Sequence, residues 1–207
     1  MAEKKKAAPR KKPAKEFDQE RIELENEGLN DVSAREVSIR SGGVRDIKKA
    51  DSVEITLGGA NSVEAKNVQV SMGGIVQATA DNLGVQFGAI VRSESESAEL
   101  TQSLVGLAQG ETVELTQGFT GAVTGTNIHM QAAGSQYMLA RESIHIQGGG
   151  AGVMVAQRVE VENAVVGFII AREVHGNVRA LLDQRGALVF GLAAGIVMGM
   201  LARARRK

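Results

Sequence analysis

The sequence predicts an all-β fold, a parallel β-solenoid of about eleven coils of roughly fifteen residues each, and three observations carry that prediction. The strings Glu99-Leu100-Thr101-Gln102 and Glu114-Leu115-Thr116-Gln117 are identical and stand fifteen positions apart. An apolar-polar-apolar triplet recurs along the chain, centred on Glu23, Ser38, Glu54, Gln69, Gln86, Glu99, Glu114, His129, His145, Glu160 and His175, at spacings of 15, 16, 15, 17, 13, 15, 15, 16, 15 and 15. Gly makes up 25 of the 207 residues, well above the usual ~7%, and no long apolar stretch at helical spacing falls between Asp31 and Val174.

The first element is residues 1–21. Over residues 1–15, Lys4, Lys5, Lys6, Arg10, Lys11, Lys12 and Lys15 stand against Glu3 alone, with both prolines of the chain among them, the composition of a disordered basic arm. The sign then reverses through Glu16, Asp18, Glu20, Glu23, Glu25, Glu27 and Asp31. The basic run leads into these acids and not into an apolar core of a signal peptide, so a cytoplasmic location is expected.

Residues 22–182 are the solenoid. In Val53-Glu54-Ile55 or Ile144-His145-Ile146 alternation sends both apolar side chains to one side and the polar one to the other, as in a half-buried strand. Glycines follow at Gly42-Gly43, Gly58-Gly59, Gly73-Gly74, Gly118, Gly134 and Gly148-Gly149-Gly150, where positive φ is expected at corners. A second apolar stretch comes next, as in Val76-Gln77-Ala78 or Val153-Met154-Val155, predicting two strands per coil on opposed or inclined sheets. A fifteen-residue coil has room for a two-sided or a flattened three-sided circuit. Ser93-Glu94-Ser95-Glu96-Ser97 breaks the apolar pattern where the spacing drops from 17 to 13, and reads as a solvated loop or register adjustment.

Residues 183–207 are the last element. Gly186 to Ala202 is seventeen residues without a charge, closed by Arg203, Arg205, Arg206 and Lys207. As a helix it would span ~25 Å, enough to cross a bilayer with its flanking arginines snorkelling; the competing reading is a buried capping or oligomerisation helix. Gly191, Gly195 and Gly199 align on one helix side, the small-residue spacing that lets membrane helices pack closely. The basic tail favours a cytoplasmic C-terminus, whereas the absence of an export signal favours a cytoplasmic solenoid.

Net charge is zero and Cys is absent, which excludes disulfides and thiol chemistry. There is no HExxH, no GxSxG and no phosphate loop, since Gly148-Gly149-Gly150-Ala151-Gly152 lacks the Lys-Ser/Thr ending. Neither an enzyme nor a cofactor is expected. The sharpest chemical feature is the polar column: Glu114, His129, His145, Glu160 and His175 would stack along one outward side, gathering every histidine of the chain. His129, His145 and His175 are therefore the candidate metal ligands, against the plainer reading of a solvated ladder. Tyr137-Met138-Leu139, Val153-Met154-Val155 and Val165 to Ile170 are apolar on both sides, a mark of a partner, a membrane or an identical subunit unless C-terminal residues fold over them. The basic arm and tail suit anionic lipid. Without interleaved aromatics or a reader module, specific nucleic-acid binding is not expected.

The strings Ser62-Val63-Glu64-Ala65-Lys66-Asn67-Val68-Gln69-Val70 and Glu173-Val174-His175-Gly176-Asn177-Val178 resemble the coil pattern of bactofilins, over about residues 22–180. That resemblance implies a bacterial β-solenoid that polymerises end to end, often with membrane association, and no enzymatic residues. Asn61-Ser62-Val63 and the Gly pairs are also similar to the heads of trimeric autotransporter adhesins, which are exported. The function expected is a non-enzymatic, membrane-tethered scaffold or self-assembling structural protein. The alternative is an envelope or surface binding module presenting the Glu/His side to a ligand or metal.

Overall fold

The structure is a computed structural model that describes residues 19–180. The basic arm and the apolar segment with Gly191, Gly195 and Gly199 lie outside the described residues. Every described element is a strand: β1 (Gln19–Val32), β2 (Ala34–Ile55), β3 (Gly58–Val70), β4 (Gly73–Gln86), β5 (Gly88–Thr101), β6 (Leu104–Thr116) and β7 (Phe119–Ala180). They pair in sequence order, each parallel to the next, in one continuous winding sheet. This is a parallel β-solenoid. Within β7 the winding continues, because side chains 15 or 16 residues apart still meet: Ser143 donates to Asn127 at 2.6 Å, and Gln147 donates to Glu162 at 3.3 Å.

Inward residues recur at steps of 3, 2, 3, 2 and 5, as in Ala60, Val63, Ala65, Val68 and Val70 followed by Ile75, Ala78, Ala80, Leu83 and Val85. A strand alternates inward and outward, so two successive outward residues between inward ones mark a corner. Each coil therefore has three sides and not two. In β4 the first side is centred on Ile75, the second on Ala78 and Ala80, and the third on Leu83 and Val85. The fifteen-residue repeat carries too many inward positions for two flat strands, since the core is a triangular prism. One of its columns is apolar throughout: Val70, Val85, Leu100, Leu115 and Met130 stack in register and are buried.

Two details depart from the sequence expectation. Gln69 pairs with Gly84, and Gly84 with Glu99, so the third-side column passes through Gly84, while Gln86 pairs with Thr101 at the strand end. The steps of 17 and 13 become 15 and 15, and nothing needs adjusting at Ser93 to Ser97. Those residues lie inside β5 in unbroken register with β4 and β6, and Ser93 is fully buried between Ala78 and Ala108. The alternating serines misled because small hydroxyl side chains fit inward positions where the neighbouring coils place Ala.

The expected positive φ is found at Gly42, Gly58, Gly148 and Gly149, and other corners use other residues. The corner before the first side takes a left-handed conformation at Phe87, Gln102, Gln117, Ala132, Gly148 and Asn163, with φ between 47° and 74°. Most of these are not glycine, although the conformation costs an L-residue about 1–2 kcal/mol. Gly118, one residue on, is needed for proximity instead: a Cβ there would sit 2.5 Å from the Ser103 carbonyl oxygen of the preceding coil.

Candidate interaction surfaces

The third side carries the polar column. Leu83 and Val85 and their equivalents point inward, so Gly84, Glu99, Glu114 and His129 point outward in paired register. His129 and His145 follow one another with ring centroids 5.9 Å apart, tilted by 48°. His145 Nδ1 lies 3.1 Å from Glu160 Oε2. His175 is nearest to a carboxylate on its own coil, Glu173, at 3.9 Å. The column thus holds side-chain contacts from His129 through His145 to Glu160, but successive coils offer one ligand each. Metal coordination needs donors converging on a point, and among the described residues no group of three or more His, Asp or Glu side chains does so. The Glu114 to Glu160 separation is three coil steps, ~14 Å at the strand spacing, outside the range of a glycosidase carboxylate pair.

Beside this column runs a ladder of small polar side chains. Asn82 donates from Nδ2 to Asn67 Oδ1 at 3.0 Å, and Ser143 reaches Asn127 in the same position. Arg158 donates to Glu173 across one coil, and Lys66 pairs with Asp51 at 2.7 Å. The Lys66 hydrogen bond and charge hold Asp51 below the usual carboxylate value of 3.8, and Asp51 holds Lys66 above 10.5. Both groups are solvent-exposed, so water and salt weaken the pair.

The second side changes along the axis. Early coils expose Glu64 and Gln77, whereas late ones expose Tyr137, Leu139, Phe168 and Ile170, with Met138 and Met154 buried beneath. The expected late apolar surface is present among the described residues. No helix among them is long and apolar enough to cross a membrane.

Among the described residues, the first side holds none of the expected site residues. Its outward positions lie in two columns, one through Gly74, Ala89, Leu104 and Phe119, the other through Val76, Val91, Gly106 and Gly121. The signal was available as the absence of Asp, Glu, Lys and Arg at these positions, but only the three-sided register shows that they share a surface. No protein-family model, curated protein or solved structure matches this chain.

Proposed function

We propose that this protein is a non-enzymatic β-solenoid scaffold, tethered to a membrane by residues 186–202 and assembling with copies of itself. The observation that carries this reading is exposed apolar surface on a regular rod: Tyr137, Leu139, Phe168 and Ile170 are each more than half exposed. Apolar area on that scale is stabilised when another surface removes it from water. The winding comprises about eleven coils, one for each polar column position from Glu23 to His175. The solenoid stands on the cytoplasmic side, with Gly191, Gly195 and Gly199 packing one membrane helix on another and the basic arm and tail drawn to anionic headgroups. The resemblance to bactofilins points the same way.

Full-length protein is expected to sediment with membranes and to resist alkaline carbonate extraction, while a chain truncated after Asp183 stays in the supernatant. Recovery of the full-length chain in the soluble fraction without detergent would sink the tether.

A second reading, a binding module on the third side, is favoured by one observation, the His145 to Glu160 contact beside His129. Calorimetric titration with Zn²⁺ that is unchanged in the His129→Ala, His145→Ala double variant removes it.

A further inference from the structure

We infer that the first side of the solenoid is a self-docking surface that receives a second copy of this chain in parallel, side by side. Fourteen outward positions line this side from Gly74 to Gly167; half are Gly, Gln136 alone is polar, and none is charged. Charge depletion of this kind marks the centre of interfaces, not ordinary surface. An open trough of about 620 Å³ runs along it, lined by Val76, Val91, Leu104 and Phe119 over Gly106 and Gly121.

The two columns say what fits there. Within one coil the outward pair is Gly74 with Val76, Leu104 with Gly106, Phe119 with Gly121, Gly134 with Gln136 and Val165 with Gly167. In five of the seven coils a larger residue in one column stands beside a glycine in the other; Ala89 with Val91 and Gly150 with Gly152 are the exceptions. A two-fold axis parallel to the solenoid axis, lying in the plane between two such surfaces, swaps the columns and keeps the coil. Leu104 of one copy then meets Gly106 of the other, and Phe119 meets Gly121, in both directions at once. This is the self-complementarity that an isologous contact requires. The glycines let the sheets approach more closely than the usual ~10 Å. Their smoothness is imposed within the coil as well, because a Cβ on Gly106 would sit 2.5 Å from the Val91 carbonyl oxygen.

Seven coils at ~4.8 Å each give a contact roughly 30 Å long and ~15 Å wide, on the order of 450 Å² per copy against ~800 Å² for a standard stable interface. The pairing is therefore weak between free molecules and strong when both are held at one membrane. A parallel two-fold puts both copies' membrane segments at the same end, and tethering raises the effective concentration. In its strength, though not in its geometry, this inference rests on the tethered-scaffold reading.

The chain has no Cys, which permits a direct test on full-length protein in detergent micelles with a short bismaleimide cross-linker. Val76→Cys and Val165→Cys, each alone, are expected to give cross-linked dimers, and Thr112→Cys on the third side none. Adding Phe119→Lys or Leu104→Lys, both exposed positions, should reduce the dimer bands at least tenfold without altering the circular dichroism spectrum. Adding Gly195→Leu should leave them detectable. Cross-linking only between mixed Val76→Cys and Val165→Cys proteins would mean antiparallel packing and overturn the parallel pairing. Dimers lost with Gly195→Leu and indifferent to Phe119→Lys would assign association to the membrane segment and overturn the surface. Absent dimers with weaker binding of Phe119→Lys to phosphatidylcholine vesicles would assign the surface to lipid, and also overturn it. Soluble full-length protein that still cross-links at both positions removes the tether and keeps the pairing.

Discussion

Ser93 occupies an inward column of Val63, Ala78, Ala108 and Val123, fully buried, and its hydroxyl finds no hydrogen-bond partner among the described residues. A buried unpaired hydroxyl costs about 1–3 kcal/mol, while Ala already fills the same position on both neighbouring coils. Ser93→Ala is therefore expected to stabilise the protein by about 1 kcal/mol, read as a higher urea midpoint at unchanged slope. A lower midpoint would mean that the hydroxyl is satisfied by water or backbone. At this scale a sequence is least legible: Ser97 looks the same as Ser93 in the string, and only register turns Ser93 inward and Ser97 outward. The histidines were more legible. Each lies between two apolar residues or at an equivalent step, so alternation alone sent them outward, but the 3.1 Å approach of His145 to Glu160 required the side chains in place.

Between elements, the Lys66 to Asp51 pair joins β3 to β2, as Arg40 to Glu23 joins β2 to β1. Asp51 is held below 3.8, so its contribution is present above that value and fades as pH falls through its lowered folded value. Lys66 is held above 10.5, so its contribution is present below that value and is lost as pH rises through its raised folded value. The difference in melting temperature between the native chain and Lys66→Met should be small and constant from about pH 5 to 9, and shrink at both extremes. A difference that grew in acid would contradict the pairing. Element boundaries were partly legible in the repeat. The steps of 17 and 13 arise because Gln86 sits between two apolar neighbours, Val85 and Phe87, and resembles a column centre. Gly84 carries no side chain to announce itself, yet its backbone pairs with both Gln69 and Glu99.

At the scale of the whole fold, substantial contact among the described residues is confined to elements adjacent in sequence. Stability in such a stack is close to a sum of coil and nearest-neighbour contributions. Leu115, buried between Leu100 and Met130, has a full neighbour on each side. Leu115→Ala should cost about 2–5 kcal/mol and lower hydrogen-exchange protection across β5, β6 and the first part of β7 before β1 is affected. Uniform loss across all seven elements would show the rod to unfold as one unit instead.

The sequence by itself determined that the chain winds, its period of about fifteen residues and the outward placing of the histidine column, because period and alternation are properties of a strand's own backbone. It did not decide the number of sides. A step of three between inward residues is a corner only when the coils above and below turn at the same place. The tertiary structure decided that, and with it put Ser93 inside and made the columns through Leu104 and Gly106 into one uncharged surface. Those residues belong to different coils, and their common side exists only once the coils are stacked.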